Sequence, residues 1–387
     1  MNPRPAQPAC DQPGDEAEFA HRTTHGFVRG RGAQLNPPNR FEPISLHVLG
    51  EHLDEIAVEH PGSAEGGVSV RTRVFRDHAK TVINPVDSPD LHMKWTLNPY
   101  RGCEHGCVYC YARPTHETFG LSCGLDFETQ IFAKEDAPAL LLKELAHPKW
   151  TGEPIMLSGI TDPYQPVERA LRITRRCLEV MAACGQPVTI VTKNAMVTRD
   201  IDVIAALAKV GAANVALSIT TLDNRLASTM EPRASAPGER LRAIRTLADA
   251  GIPVTVMVAP VIPALNDHEI LTILKAAQEH GATGAGYVLL RLPYQIKELY
   301  LDWLAREFPD RAAKAESQLR EARRGELYQS GWKERQRGVG ARAEQIKTMF
   351  EMFKRSLGMN ERGIGASSGA FRRPFLPDPS GQMGLFG

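Results

Sequence analysis

From about residue 95 to 308 the chain repeats one pattern: a short apolar run followed by a longer amphipathic stretch. The apolar runs fall at 154–160, 187–192, 213–220, 253–259 and 286–291, with starts 33, 26, 40 and 33 residues apart. That is about the length of one strand-plus-helix unit. The stretches between them carry helix punctuation. One runs from Asp200 to Gly211, another from Gly238 to Asp249 with Gly251 just beyond. A third, 267–280, follows Asn266, an expected N-cap, and stops at Gly281. Strands that are apolar throughout and separated by helices predict a parallel sheet covered on both faces. With Trp95-Thr96-Leu97 as the first strand there are about six such units. The expected fold is α/β, a partial or complete barrel, with an open doubly wound sheet as the alternative.

The ends of the chain read differently. Residues 1–45 hold seven prolines, five acids and five bases, too little apolar surface to offset ordering entropy. Most of that stretch is expected to be a flexible extension. Its turn-rich part, Gly30 to Ala33 and Asn36 to Phe41, leaves docking on the main body open. Residues 46–94 form an N-terminal segment that periodicity does not assign, and the barrel occupies 95–308. Residues 309–387 are expected to be a basic helical region with a frayed tail. Ile346, Met349, Phe350, Phe353 and Leu357 share one helical face there, and Gly358 is a natural stop.

Composition narrows the setting. The 387 residues carry 46 basic and 45 acidic side chains, a net charge of +1, which argues against a protein that coats polyanions. The balance is uneven: residues 306–387 alone have 16 Lys/Arg against 10 Asp/Glu. Tyr328, Trp332, Arg335 and Arg337 are interleaved there, so a nucleic-acid partner stays open beside a solvated helical surface. The first twenty residues lack an apolar core of a signal peptide, and the longest apolar run, 254–265, holds two prolines. A cytoplasmic protein with reduced thiols is expected, and no membrane partner. Seven cysteines are too few for a disulfide scaffold at this length.

Three of those cysteines, Cys103, Cys107 and Cys110, fall at C-x3-C-x2-C spacing directly after the first expected strand. Such a loop can aim three thiolates at one point, with Gly102 and Gly106 easing the backbone. Three thiolates hold three corners of a 4Fe–4S cube and leave one iron open, as a catalytic cluster requires. The competing reading is zinc, bound by the same cysteines with His105 or His116. A second C-x2-C knuckle, usual in structural zinc sites, is missing from the sequence. A non-catalytic Fe–S or zinc-binding scaffold is therefore the alternative to an enzyme. Cys177 and Cys184, seven apart in an apolar helix, read as buried free thiols, whereas Cys123 follows the loop and is a candidate exposed thiol.

The loop, with Tyr109 before its last cysteine, resembles the C-x3-C-x-aromatic-C signature of the radical S-adenosylmethionine (SAM) superfamily. The phrases 158–168 (SGITDPYQPVE), Thr192-Lys193-Asn194, Arg199-Asp200, Ser218 to Thr221 and Glu231-Pro232-Arg233 resemble the branch grouped with spore photoproduct lyase. The resemblance implies a partial (β/α)6 barrel of radical SAM type. It implies a 4Fe–4S cluster on Cys103, Cys107 and Cys110, and a reductant such as flavodoxin or ferredoxin. It further implies reductive cleavage of SAM to a 5′-deoxyadenosyl radical that abstracts hydrogen from a substrate.

Tyr109 is implied beside the adenine. Ser158, Gly159 and Thr161, ending the second strand, are implied at the methionine amino group, and Lys193 at its carboxylate. Ser218 and Thr220, two apart at the end of the fourth strand, suit ribose or carboxylate contacts. Each position also has a bland reading: a turn, a solvated lysine, strand-favouring hydroxyls. Glu231-Pro232-Arg233 is read either as orienting cofactor or substrate or as a surface ion pair. Asp162, Tyr164 and Glu168 cluster near the second-strand loop, and Arg291 is a candidate to face the substrate pocket. No catalytic residue is assigned. One departure matters: 157–161 contains no cysteine, where the branch's namesake uses one to return hydrogen to thymine. Cofactor chemistry is implied, thymine repair is not, and a relay through Cys123 or a tyrosine stays open.

Overall fold

In the computed structural model, residues 28–41, 70–90, 93–359 and 366–376 are described. Strands β1 (Arg73–Arg76), β2 (Ile83–Pro85), β3 (Trp95–Leu97), β4 (Tyr100–Arg101) and β5 (Gln130–Ala133) come first. Then follow β6 (Ile155–Leu157), β7 (Val188–Thr192), β8 (Ala213–Ser218), β9 (Val254–Val261) and β10 (Gly284–Leu289). The larger sheet has the order β10-β9-β8-β7-β6-β3-β2. Six of its strands, β3 and β6 to β10, run parallel, and β2 closes one edge antiparallel to β3. This is the partial (β/α)6 barrel expected from the sequence.

The apolar runs became strands because helices cover their outer face. All six residues of β8 are buried, as a central strand packed on both sides requires. Chain order in the helical layer is α1 (Leu125–Thr129), α2 (Ala137–Leu145), α3 (Glu168–Leu171), α4 (Ile173–Cys184), α5 (Ile201–Lys209) and α6 (Asn224–Met230). It continues with α7 (Pro237–Asp249), α8 (Ile270–Glu279), α9 (Ile296–Glu307), α10 (Pro309–Glu321), α11 (Glu334–Arg337) and α12 (Ala341–Ser356). Helix α4 buries Ile173, Cys177, Leu178, Met181 and Cys184 on one face. The two thiols are core groups there, each such apolar side chain contributing about 1–3 kcal/mol.

Asn266 does not cap α8. Its amide accepts from the Ile262 N–H and donates to the Thr220 and Pro260 carbonyls. A buried amide that can satisfy three backbone groups at once is worth more there than at a helix end.

Helix α12 lies along the barrel as its apolar stripe predicts. Ile346 and Phe350 are buried, and Met349, Phe353 and Leu357 pack at the core's edge. The Phe350 ring meets Tyr287 of β10 at 4.6 Å.

Strands β1, β5 and β4 make a second, three-stranded sheet that sequence periodicity had left unassigned. These strands are short, and β1 is exposed along its length, so no apolar alternation marks it. Residues 28–41 lie on the main body beside this sheet, held through Glu128 as set out below. The remainder of the expected extension, 1–27 and 42–45, lies outside the described residues, as does the tail from 377.

Candidate cofactor site

The cysteine loop starts where β3 ends. Strand β4 pairs with β5, Tyr100 opposite Ala133 and Arg101 opposite Phe132, and the Cys103 N–H donates to the Phe127 carbonyl at 3.0 Å. The loop then turns back on itself, with the Cys110 N–H donating to the Cys107 carbonyl at 3.2 Å. Gly106 sits at φ +67° with the Glu128 carboxylate 2.7 Å from where a Cβ would stand. A Cβ on Gly32 would lie 1.8 Å from the Gly106 carbonyl oxygen. The loop and residues 28–41 therefore fit only with two glycines facing each other.

All three thiols are pushed above the ordinary cysteine range. Burial is the main cause at each; Asp162 and the neighbouring thiols add to it at Cys103, and Glu231 adds to it at Cys107. At Cys110 Arg113 opposes it. The three thiols stand on one short loop, close enough for charge on one to disfavour charge on its neighbours. Cations surround them: Lys193 and Arg240 act on Cys107, Arg113 and Arg291 on Cys110. An iron–sulfur cube on three thiolates is anionic, and its irons stabilise the thiolate form. The donor set and its cationic surroundings fit such a cluster.

The histidines that spacing offers to zinc are committed elsewhere. His105 places Nδ1 at 3.3 Å from Asp162 and Nε2 at 3.1 Å from Asn194. His116 contacts the Gln130 carbonyl through Nε2 at 2.8 Å and sits among Phe119, Phe127 and Phe132. Among the described residues no three Cys, His, Asp or Glu side chains, the loop thiols included, gather as a single ion such as zinc requires, whereas a 4Fe–4S cube spreads its three thiolates over three irons.

Beside the loop stands Glu231, fully buried, at the end of α6. It accepts hydrogen bonds from the Tyr109 hydroxyl, from Thr220 Oγ1 at 2.6 Å and from Arg240 at 2.5 Å. Lys193 Nζ lies 3.2 Å from it and 5.7 Å from the Tyr109 ring centroid. Burial works against the Glu231 charge, but Arg240 and Lys193 outweigh it and hold the carboxyl far below the usual range. The surface-pair reading of Glu231 is therefore wrong. Three expected positions, Tyr109, Lys193 and Thr220, meet at a carboxylate that the expected set left out. The Glu231-Pro232-Arg233 phrase was the available signal.

Ser158, Gly159 and Thr161 lie together at the end of β6, and their polar groups are already engaged. Asn98 Oδ1 accepts from Ser158 Oγ at 2.7 Å and from the Gly159 and Ile160 amides at 2.8 and 3.0 Å. Thr161 Oγ1 donates to the Gly102 carbonyl at 2.5 Å, inside the cysteine loop. Gln165 reaches the same carbonyl and accepts from the Glu104 N–H. Asn98 and Gln165 are thus the braces between β6 and the loop, and sequence reasoning missed both. Ser218 closes β8, and its carbonyl accepts from Arg240 at 3.0 Å.

Asp162 continues the brace toward β7, accepting from Thr192 Oγ1 at 2.7 Å and the Lys193 N–H at 2.8 Å. Burial raises its carboxyl, but His105, the Lys193 amide and Thr192 together lower it below the usual value. Glu168 serves farther out, taking the Tyr100 hydroxyl and Arg199 at 2.8 Å. Cys123 is buried rather than exposed, its thiol pushed up to about 12 by burial, Glu117 adding. Of the interleaved C-terminal residues, Arg335 pairs with Asp90 at 2.6 Å and stacks on the half-exposed Trp332 ring.

The Radical SAM superfamily model matches residues 97–277, which spans the cysteine loop and the strands around it. An uncharacterized protein of Mycobacterium tuberculosis is 36% identical over 234 residues, 60% of this chain and 69% of that one. The chain belongs to the radical SAM superfamily. A Methanocaldococcus jannaschii protein, likewise uncharacterized, is 28% identical over 201 residues, 52% of this chain and 72% of the relative. Among solved structures, spore photoproduct lyase superposes with a TM-score of 0.52 at 17% identity, covering 73% of this chain and 78% of that one. One such structure is described with bound AdoMet and dinucleoside spore photoproduct. At that identity the likeness concerns the fold. Within the described residues no helix of this radical SAM protein is long and apolar enough to cross a membrane.

Proposed function

We propose that the protein is a radical SAM enzyme in which Cys103, Cys107 and Cys110 hold a 4Fe–4S cluster and the ends of β6 to β8 hold SAM. The observation that carries this reading is one loop bringing three thiols, Cys103 and Cys107 buried and Cys110 partly so, beside the Tyr109–Glu231–Lys193 group. When bound, the cluster and SAM supply a one-electron cleavage of the sulfonium and so a hydrogen-abstracting carbon radical.

The chain's own residues have definable parts. Asn98, Thr161 and Gln165 lock the end of β6 to the cysteine loop, which keeps cluster and cofactor positions in register. Glu231 orients the Tyr109 ring as one wall of the cofactor pocket. Lys193 already spans Glu231 and the Ala259 carbonyl at 2.8 Å, and can exchange one partner for the carboxylate of the methionyl group. The burial of Cys103, Cys107 and Tyr109 limits water at that side of the site. The residues ending β6, 157–161, contain no thiol, so a hydrogen-returning cysteine at that place is not part of this reading. An external reductant is required.

Anaerobic reconstitution tests it. The expected product is a brown protein with about four irons and four sulfides per chain. Its reduced-state EPR signal shifts on adding SAM, and 5′-deoxyadenosine is released. C107A is expected to lose the cluster and keep the barrel's circular dichroism. A colourless protein with one tight zinc, or a cluster that survives C107A, defeats the reading.

A further inference from the structure

The three-stranded sheet carries a row of rings on one face. Phe75 of β1 stands opposite Phe132 of β5, and Phe132 opposite Arg101 of β4. Directly opposed residues project to the same face of a sheet, so these three side chains lie in one row. The Phe75 and Phe132 rings stack at 5.4 Å, and Phe119 stacks on Phe132 at 5.1 Å. The Arg101 guanidinium lies 5.0 Å from the Phe119 centroid. Phe75 and Phe119 each keep 40% of their surface in water. Apolar groups left exposed side by side mark a contact surface.

The same surface is basic. Residues 71–80 hold Arg71, Arg73, Arg76 and Lys80 against one acid, Asp77. Asp77 pairs with Arg101 at 2.5 Å, and Arg76 with Asp136 at 2.9 Å. Arg71, Arg73 and Lys80 are exposed and have no carboxylate partner among the described residues. Arg73, two residues before Phe75 on an edge strand, projects to the face of the rings.

This face lies directly behind the cysteine loop. Arg101 is two residues before Cys103. The His116 ring sits 6.3 Å from Phe119 and 5.9 Å from Phe132, and its Cε1 is 2.8 Å from where a Cβ on Gly102 would lie. Phe127, 5.2 Å from His116, packs with Cys103. One buried ring therefore separates the exposed row from the thiol loop.

We propose that this face docks the external reductant, an acidic one-electron-donor protein carrying a flavin or iron–sulfur cofactor. It rests on the radical SAM reading for the need of an electron, and on the basic aromatic row for the docking. The reduced partner is oxidised by one electron, which a cluster on Cys103, Cys107 and Cys110 takes up, and no bond is made or broken. Acids on the partner meet Arg71, Arg73 and Lys80, which steers the encounter. The rings supply the apolar centre of a small interface, the size usual for transient electron transfer. The row belongs to β1, β4, β5 and residues 113–119, whereas Lys193 and Glu231 follow β7 and α6. Docking therefore leaves the SAM side uncovered.

The test titrates the full chain, without iron, with two acidic probes, flavodoxin and a plant-type ferredoxin, at low ionic strength. One-to-one binding of at least one probe is expected, weakening as salt rises. F75S and R73E are each expected to weaken it at least about tenfold with unchanged circular dichroism. R355E, an exposed change on α12, should bind like the wild type. R73E alters only an exposed side chain, so it remains decisive where F75S fails to fold. In the reconstituted protein, SAM cleavage driven by the reduced probe should fall at least about tenfold in R73E, while cleavage driven by dithionite holds. Binding of neither probe, R73E binding like the wild type, or R355E losing as much as R73E overturns the docking face. A wild-type dimer in sedimentation that F75S dissociates also overturns it, because a second copy would then own the row. Dithionite separates the two readings: a protein that cleaves SAM with it but binds neither probe loses only the docking face. One that cannot cleave SAM with dithionite loses the radical reading.

Discussion

Two buried carboxylates flank the cysteine loop, and they are satisfied in opposite ways. Glu128 receives the Gly32 and Ala33 amides at 3.1 and 2.8 Å and Arg113 at 2.5 Å. Arg31 donates to its backbone carbonyl at 2.8 Å. Most of those partners are backbone or sealed inside. Glu231 instead receives side chains, Tyr109, Thr220, Arg240 and Lys193, and the last retains 16% exposure. The difference separates a clamp from a socket. Backbone amides at Glu128 fix residues 28–41 against the loop, whereas in the proposed reading the side chains at Glu231 change partners when SAM arrives.

The sharpest way to break that comparison is E128Q. It leaves Arg113 buried without a charge partner, a loss of about 3–5 kcal/mol measured by urea unfolding. Faster proteolysis within 28–41 should accompany it. E231Q should not release that segment, and a matching cleavage pattern would abolish the distinction.

Next in size is acid sensitivity on the clamp side. Burial pushes His116 down to about 4 from an ordinary 6.5, the Gln130 carbonyl opposing. As pH falls the unfolded chain takes up this proton first, so the stability is complete above about 6.5 and is lost progressively down to about 4. The contribution is about 3 kcal/mol. H116Q should flatten the pH dependence of Tm in that window, and an unchanged slope would contradict it.

The smallest stability effect is expected on the socket side. K193M leaves Glu231 with Arg240, Thr220 and Tyr109, so stability should fall by only about 1 kcal/mol. SAM binding to the reconstituted protein, read by equilibrium dialysis, should weaken at least about tenfold. A large loss of stability with unaltered SAM affinity would make Lys193 a clamp too.

Local features of this chain were legible and long-range ones were not. The three cysteines and Tyr109 lie within eight residues, and the strand runs repeat at one period, so both can be seen without a fold. Asn98 serves Ser158 across 60 residues, and Arg31 reaches Glu128 across 97. A polar residue in a loop looks the same whether it faces solvent or braces a strand end. Cys123 shows this directly: its exposure depended on residues 28–41 covering it beside Val28 and Leu125.

The sequence by itself therefore determined the strand-and-helix alternation, the approximate places of the parallel strands and the thiol loop, because apolar periodicity and short spacing are set by neighbours along the chain. Tertiary structure alone decided that Glu231 is buried among Tyr109, Thr220, Arg240 and Lys193, that Asn266 braces a strand end instead of capping a helix, and that Arg323 is buried with no acid partner among the described residues. Those outcomes depend on which groups lose water together, and that is known only once the distant segments have met.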